Sequence, residues 1–169
     1  MNLLVDIGNS RTKYITVESL NSEQYQVIPN EKLTHDWLDE NWLGLEKIIL
    51  ATVSKTSTTH IIKQWTKKNA IKLSIIESEA ARFGITSFYQ EPVTLGVDRW
   101  LALLGAADLF PMKNILIVDS GTATTIDLLA ANGKHKGGWI LPGIDMMRMS
   151  LFENTSKVKV EQTALPQVN

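Results

Sequence analysis

The chain has 169 residues, with 17 Lys and Arg against 18 Asp and Glu and a formal net charge of −1. That length suits one domain or two small ones with an unstapled core, and the charge balance lacks the basic excess of a nucleic-acid binder. With no cysteine, disulfides, thiolate catalysis, zinc–cysteine sites and iron–sulfur clusters are excluded.

The amino terminus, Met1 to Asp6, has no cationic segment and its apolar run stops at Asp6, unlike a signal peptide. No run approaches the ~18–20 apolar residues of a membrane span. The expectation is a soluble, cytoplasmic enzyme or binding module acting on a small molecule, with no nucleic-acid or membrane partner.

In chain order, residues 3–7 read as a short buried strand, Gly8 to Ser10 as a turn, and residues 13–17 and 25–28 as two further strands ending at Pro29. Residues 31–41 carry Leu33, Trp37 and Leu38 on one helical face. A strand runs from Lys47 to Val53. A helix follows over 57–68, with Ser54 or Ser57 as its cap, and another strand over 71–76. Residues 78–95 read as irregular, and 97–109 as an apolar helix stopped before Pro111. Strands follow over 115–118, 124–130 and 138–141, then a helix over 144–152 and an unpatterned tail from Thr163. His35, His60 and His135 lack metal-ligand spacing and read as surface residues. The five tryptophans read as core, and Met146, Met147 and Met149 as packing or interface residues.

One repeat stands out. Leu3-Leu4-Val5-Asp6-Ile7-Gly8 matches Leu116-Ile117-Val118-Asp119-Ser120-Gly121 at an offset of 113 residues. Each copy is an apolar strand, an Asp, a Gly and then small polar residues. Repeats define architecture, and two copies imply two halves of similar fold joined by the helix over 97–109.

In the first copy the strand delivers Asp6 to its end. Gly8 permits a close backbone approach, Asn9, Ser10 and Thr12 supply uncharged donors, and Lys13 a compact cation. A carboxylate there can hold Mg²⁺ together with phosphate oxygens; the plain reading is a hairpin turn of solvated polar residues. In the second copy Asp119, Gly121, Thr122, Thr124 and Thr125 suit a hairpin that grips anionic oxygens or a cation, against the plain reading of a Thr-rich hairpin. Gly96-Val97-Asp98-Arg99 opens the apolar helix. Asp98 there is either a cap favoured by the helix dipole or a carboxylate that orients a substrate hydroxyl, beside an Arg99 able to bind a substrate carboxylate bidentately. Gly137-Gly138 and Pro142-Gly143 bracket a strand approached closely by another group, or are simple turns.

Four segments together resemble type III pantothenate kinase, a family of the actin-like and sugar-kinase superfamily. They are Asp6-x-Gly8-Asn9-Ser10-x-x-Lys13; Tyr89-x-x-Pro92-x-x-Leu95-Gly96-x-Asp98-Arg99-Trp100; Asp119-x-Gly121-Thr122-Ala123-Thr124-Thr125-Ile126-Asp127; and Gly137-Gly138-x-Ile140-x-Pro142-Gly143. The match spans residues 1 to about 155 in order and spacing.

The resemblance implies an α/β fold of two actin-like, ribonuclease H-like halves with mixed sheets, residues 1–113 and 114–169, the second incomplete. It implies transfer of phosphate from ATP to pantothenate, the first step of coenzyme A biosynthesis, by a homodimer using Mg²⁺ and a monovalent cation, K⁺ or NH₄⁺. Asp6, Ile7, Gly8, Asn9, Ser10, Arg11, Thr12 and Lys13 match its first phosphate loop, with Asp6 a further Mg²⁺ candidate. Thr122 matches a nucleotide contact and Asp119 the monovalent-cation site. Tyr89, Gly96, Val97, Asp98 and Arg99 match the pantothenate pocket, with Asp98 the proton acceptor. Relatives continue beyond Asn169, so later strands, packing helices, much of the adenosine pocket and a substrate-binding threonine have no counterpart. A non-catalytic protein that binds nucleotide or pantothenate, or an inactive fragment, is the competing reading, and a sugar or short-acid kinase a third.

Overall fold

Alternation builds the first sheet. Leu3, Val5 and Ile7 are buried while Asp6 between them is exposed, the period of two expected of a strand with one covered face. The computed structural model describes residues 1–22, 24–52 and 57–154. In it β1 (Asn2–Ile7), β2 (Arg11–Thr16), β3 (Gln26–Pro29), β4 (Lys47–Thr52) and β5 (Lys72–Ile75) form a mixed sheet in the order β3-β2-β1-β4-β5. The β1–β2 and β2–β3 pairs are antiparallel; β4 runs parallel to both β1 and β5.

Two helices cover one face of this sheet. Helix α1 (His35–Asn41) starts where the Thr34 hydroxyl accepts the Trp37 N–H at 3.2 Å, a cap worth about 1 kcal/mol. It begins later than the expected residue 31 because Asn30–Lys32 closes a separate 3₁₀ turn. Helix α2 (Ser57–Lys68) turns Ile62 and Trp65 inward and ends on Lys67 and Lys68, which complement its dipole. Leu38, Trp42, Ile62 and Trp65 pack with Leu3, Val5, Ile48 and Leu50 in one core. The Trp65 indole N–H donates to Asp39 at 2.7 Å, and Tyr14, Trp37 and Trp42 meet edge to face at 5.3–5.9 Å. The expected cap at Ser54 and the strand end at Val53 lie outside the described residues, as does the tail from Thr163.

Met1–Ala80 with Tyr89–Ala102 makes one unit; Ala81–Phe88 with the residues from Leu103 onward makes a second. The stretch expected to be irregular holds a small hairpin, β6 (Ala81–Arg82) and β7 (Ile85–Thr86), and a 3₁₀ turn at Pro92–Thr94. Phe83 (φ 50°) and Gly84 (φ 79°) make its two-residue turn in the left-handed region that short hairpins use. Helix α3 (Val97–Leu109) runs from the first unit into the second and buries Trp100 and Leu103.

In the second unit β8 (Ile115–Ser120), β9 (Ala123–Leu129) and β10 (His135–Pro142) form an antiparallel sheet in the order β10-β9-β8, followed by α4 (Ile144–Asn154). This order matches β3-β2-β1 of the first sheet. The second sheet is antiparallel rather than mixed because, among the described residues, no parallel strand pairs with β8.

Three residue assignments change. His135 is buried, not a surface residue, and its Nε2 lies 2.8 Å from Asp127 Oδ1, itself buried; the pairing satisfies two polar groups in an apolar setting. Trp139 is 70% exposed rather than core, because nothing among the described residues covers its face of the sheet. Trp37 is only half-buried.

Candidate active site

The β1–β2 register sets Asp6 opposite Lys13, and directly opposed residues share a face. That face is the one turned away from the core, and both side chains are exposed. Lys13 Nζ lies 5.7 Å over the Tyr25 ring. A cavity of about 340 Å³ opens here, lined among others by Leu4, Asp6, Lys13, Ile15, Tyr25 and Leu101. A carboxylate and an ammonium thus stand together on an apolar wall at the mouth of a turn.

The turn itself is tightly closed. The Gly8 N–H donates to the Arg11 carbonyl at 3.0 Å, and a Cβ on Gly8 would stand 3.3 Å from that same oxygen. Thr12 points inward and is fully buried, while Asn9, Ser10 and Arg11 are exposed. Ile7 belongs to the core, so its role in the turn is confined to its backbone.

Asn30 lies outside the four motif segments, yet it holds this turn. Its side-chain amide donates to the Gly8 carbonyl at 2.9 Å and the Asn9 carbonyl at 3.2 Å. Its side-chain oxygen accepts the Thr12 hydroxyl at 2.7 Å, and its backbone N–H donates to Ser10 at 3.0 Å. The signal was present in the repeat. Pro29-Asn30 stands 113 residues before Pro142-Gly143, the offset that relates Asp6 to Asp119.

The second hairpin repeats the arrangement one residue shorter. Ile7 pairs with Thr12 across the first turn, Ser120 with Thr124 across the second. The Gly121 N–H donates to the Ala123 carbonyl at 2.9 Å, and the Gly143 N–H to the Thr122 carbonyl at 2.9 Å, as Asn30 does to Ser10. Gly143 is required there: a Cβ would fall 2.2 Å from the Gly121 oxygen and 2.5 Å from that of Thr122. Asp119, Gly121 and Thr122 are exposed, and the Ser120 and Thr124 hydroxyls lie 3.3 Å apart.

The third cluster lies at the start of α3. Asp98 Oδ1 accepts the Arg99 N–H at 2.8 Å and stands where a Cβ on Gly96 would be, at 2.5 Å. Glycine at 96 therefore lets this exposed carboxylate fold back over the helix start. Arg99 is buried, with its guanidinium carbon 5.8 Å from the Tyr89 ring centroid, and Val97 is buried beside Leu95. The Ser78 hydroxyl donates to the Leu95 carbonyl at 2.8 Å, tying the preceding loop down. A cavity of about 300 Å³ borders Gly96 and Val97, with Thr52, Lys63, Glu77 and Ser78 among its walls.

Among the described residues no three His, Cys, Asp or Glu side chains cluster as a metal cage. A single carboxylate on each turn fits hard cations that take most of their shell from phosphate oxygens and water. No helix among the described residues is long and apolar enough to cross a membrane.

A family model described as type III pantothenate kinase matches residues 2–168. Proteins named type III pantothenate kinase from Colwellia psychrerythraea, Pseudoalteromonas translucida and Nitrosococcus oceani are 40%, 37% and 33% identical over 98%, 94% and 94% of this chain. The chain spans 67%, 63% and 63% of their lengths. A crystal structure from Campylobacter jejuni, described as a Baf family transcriptional activator, superposes with a TM-score of 0.61 at 27% identity, covering 98% of this chain and 68% of the other.

Proposed function

The chain belongs to the type III pantothenate kinase family, and on that premise we propose that it serves the ATP-dependent phosphorylation of pantothenate to 4'-phosphopantothenate, the first step of coenzyme A biosynthesis. The observation that carries the reading furthest is the pair of glycine-closed hairpin turns, each with an aspartate at its strand end and each clasped by the residue after a proline.

In this reading residues 6–13 receive the ATP phosphates. The exposed Asn9 and Ser10 supply donors, Lys13 neutralises phosphate oxygens, and Asp6 holds Mg²⁺ through its carboxylate. Thr122 contacts the nucleotide, and Asp119 binds K⁺ or NH₄⁺. Tyr89, Gly96, Val97 and Arg99 hold pantothenate, with the guanidinium set against its carboxylate. Bound Mg²⁺ supplies charge neutralisation on the β- and γ-phosphates.

Transfer forms one bond between the pantothenate hydroxyl oxygen and the γ-phosphorus, and breaks the bond from that phosphorus to the β–γ bridging oxygen, releasing ADP. Asp98 orients the hydroxyl and takes its proton late, as the new bond forms, because a carboxylate is too weak a base to remove an alcohol proton beforehand. Asp98 is an exposed residue whose carboxylate lies beside the side-chain-free Gly96, which supports this role. We further read the protein as a cytoplasmic homodimer, on the family premise.

The test is phosphopantothenate formation from ATP, Mg²⁺ and K⁺, followed by Asp98→Asn. The expected result is product from the unmodified chain, and turnover lowered about 10²–10⁴-fold in the variant with nucleotide binding retained. Unchanged turnover in Asp98→Asn removes it from the proton-accepting role. Nucleotide or pantothenate binding by a folded chain that makes no product favours a binding protein instead.

A further inference from the structure

The Asp98 carboxylate rests against a residue that has no side chain of its own to anchor it. Asp98 Oδ1 accepts the Arg99 N–H at 2.8 Å and stands 2.5 Å from where a Cβ on Gly96 would be. The backbone at Gly96 therefore sets where this carboxylate lies. Glycine has the widest backbone freedom of any residue, so order at position 96 has to come from its neighbours. On the carboxyl side the Gly96 carbonyl accepts the Trp100 N–H at 3.0 Å in the first turn of α3, and Val97 and Trp100 are buried. On the amino side the neighbour is Leu95.

Leu95 is held at three points. Its side chain is buried, its N–H donates to the Pro92 carbonyl at 3.0 Å, and its carbonyl accepts the Ser78 hydroxyl at 2.8 Å. The third contact bears directly on Gly96. The Leu95 carbonyl and the Gly96 nitrogen belong to one planar peptide unit, so a hydrogen bond on that oxygen opposes rotation of the whole unit. Ser78 is itself anchored. It lies two residues beyond Ile76, whose N–H donates to the Leu50 carbonyl at 2.8 Å and extends the β4–β5 pairing. Packing does not supply the same restraint, because Ser78, Leu95 and Gly96 all border the cavity of about 300 Å³. On that side, among the described residues, the hydroxyl is what holds the loop.

We propose that Ser78 is a positioning residue for the transfer step: its hydroxyl holds the Leu95–Gly96 peptide unit, and through it keeps the Asp98 carboxylate beside Gly96, where the alcohol proton is received. This rests on the reading of Asp98 as the proton acceptor. Ser78 touches no reacting atom; it acts through the backbone at 95 and 96. A merely structural role would lower the amount of folded chain, and with it binding and turnover together. A role through Asp98 lowers the catalytic rate and leaves substrate binding, which falls to other groups, in place.

The experiment compares Ser78→Ala and Ser78→Thr, alone and combined with Asp98→Asn, in the 169-residue chain supplied with ATP, Mg²⁺, K⁺ and pantothenate. Ser78→Ala is expected to lower kcat about tenfold, the scale of one hydrogen bond, with KM for both substrates within about twofold of the parent. Ser78→Thr keeps the hydroxyl and should restore kcat. Added to Asp98→Asn, Ser78→Ala should cost nothing further, since a group that acts through Asp98 then has nothing left to position. A second readout needs no substrate. The Arg99 amide is bound by the Asp98 carboxylate, so its hydrogen exchange should quicken about tenfold in Ser78→Ala and return to the parent rate in Ser78→Thr, with little change in melting temperature. Four results overturn the proposal: an unchanged kcat, a raised pantothenate KM at full kcat, a loss additive with that of Asp98→Asn, or an unchanged Arg99 amide. If the parent makes no product, or Asp98→Asn turns over normally, it is the catalytic reading that fails. The Arg99 amide then decides separately whether Ser78 holds the carboxylate: faster exchange restored by threonine supports it, and an unchanged rate overturns it.

Discussion

Asn30 organises the first turn more than any residue in the turn itself. Its amide gives two hydrogen bonds to loop carbonyls and takes one from a fully buried hydroxyl. Net values near 1 kcal/mol per bond and the half-buried setting predict a loss of about 2 kcal/mol for Asn30→Ala in urea unfolding. Asn30→Asp should be worse, since it faces the Gly8 and Asn9 carbonyls with acceptor oxygens in place of donors. Both variants should weaken Mg·ATP binding in titration calorimetry; unchanged affinity would separate the clasp from the phosphate site. Tyr14 offers a pH test. Burial pushes its phenol above the ordinary 10.0, so the native state holds the proton more tightly than the unfolded chain does. Stability is therefore unaffected below pH 10 and falls as pH rises past it. Tyr14→Phe loses the hydroxyl's hydrogen bond to Gln26 but should show a flatter decline of melting temperature above pH 10.

At the scale of elements, two three-stranded hairpin units do the same work with different turn lengths. The first turn carries one residue more, and Asn30 fills the added space with side-chain hydrogen bonds; the second is shorter, and Gly143 approaches bare. Gly143→Ala should force the Gly121–Ala123 turn to move, since backbone oxygens cannot yield as a flexible side chain would. A destabilisation of about 2 kcal/mol or more is expected, read as faster hydrogen exchange at the Gly121 amide. Strands β9 and β10 are joined by the buried Asp127–His135 pair. His135→Leu leaves the Asp127 carboxylate without its imidazole and should cost about 3 kcal/mol, whereas Asp127→Leu with His135→Leu should recover much of that loss. Additive losses in that double-mutant cycle would mean the pair is not coupled.

For the whole molecule, the metal and the fold separate. No cluster of three metal-ligating side chains is present among the described residues, so chelation with EDTA should abolish turnover while moving the melting temperature by no more than about 1 °C. A larger shift would reveal a structural ion.

Much of this was legible in the residues. Apolar runs located β1, β4, α2 and α3, since local alternation and helical spacing are properties of consecutive positions. The Asp-x-Gly repeat located both turns, and the motif order identified the family. Other features lay beyond local pattern. His135 reads as a solvated histidine until Asp127, eight residues away on the neighbouring strand, is brought within 2.8 Å. Asn30 reads as the residue after a proline until β3 carries it back alongside the first turn. The β6–β7 hairpin is only two residues on each side, too short to show a period. Trp139, Leu116 and Val118 carry the composition of a core, and composition alone buries them. Local residue order carries the elements, the repeat and the chemistry available at each turn. Which side chain clasps which carbonyl, and which apolar face stays open, follows from strand pairing and coverage between residues far apart in the chain, and neither is a property of consecutive positions.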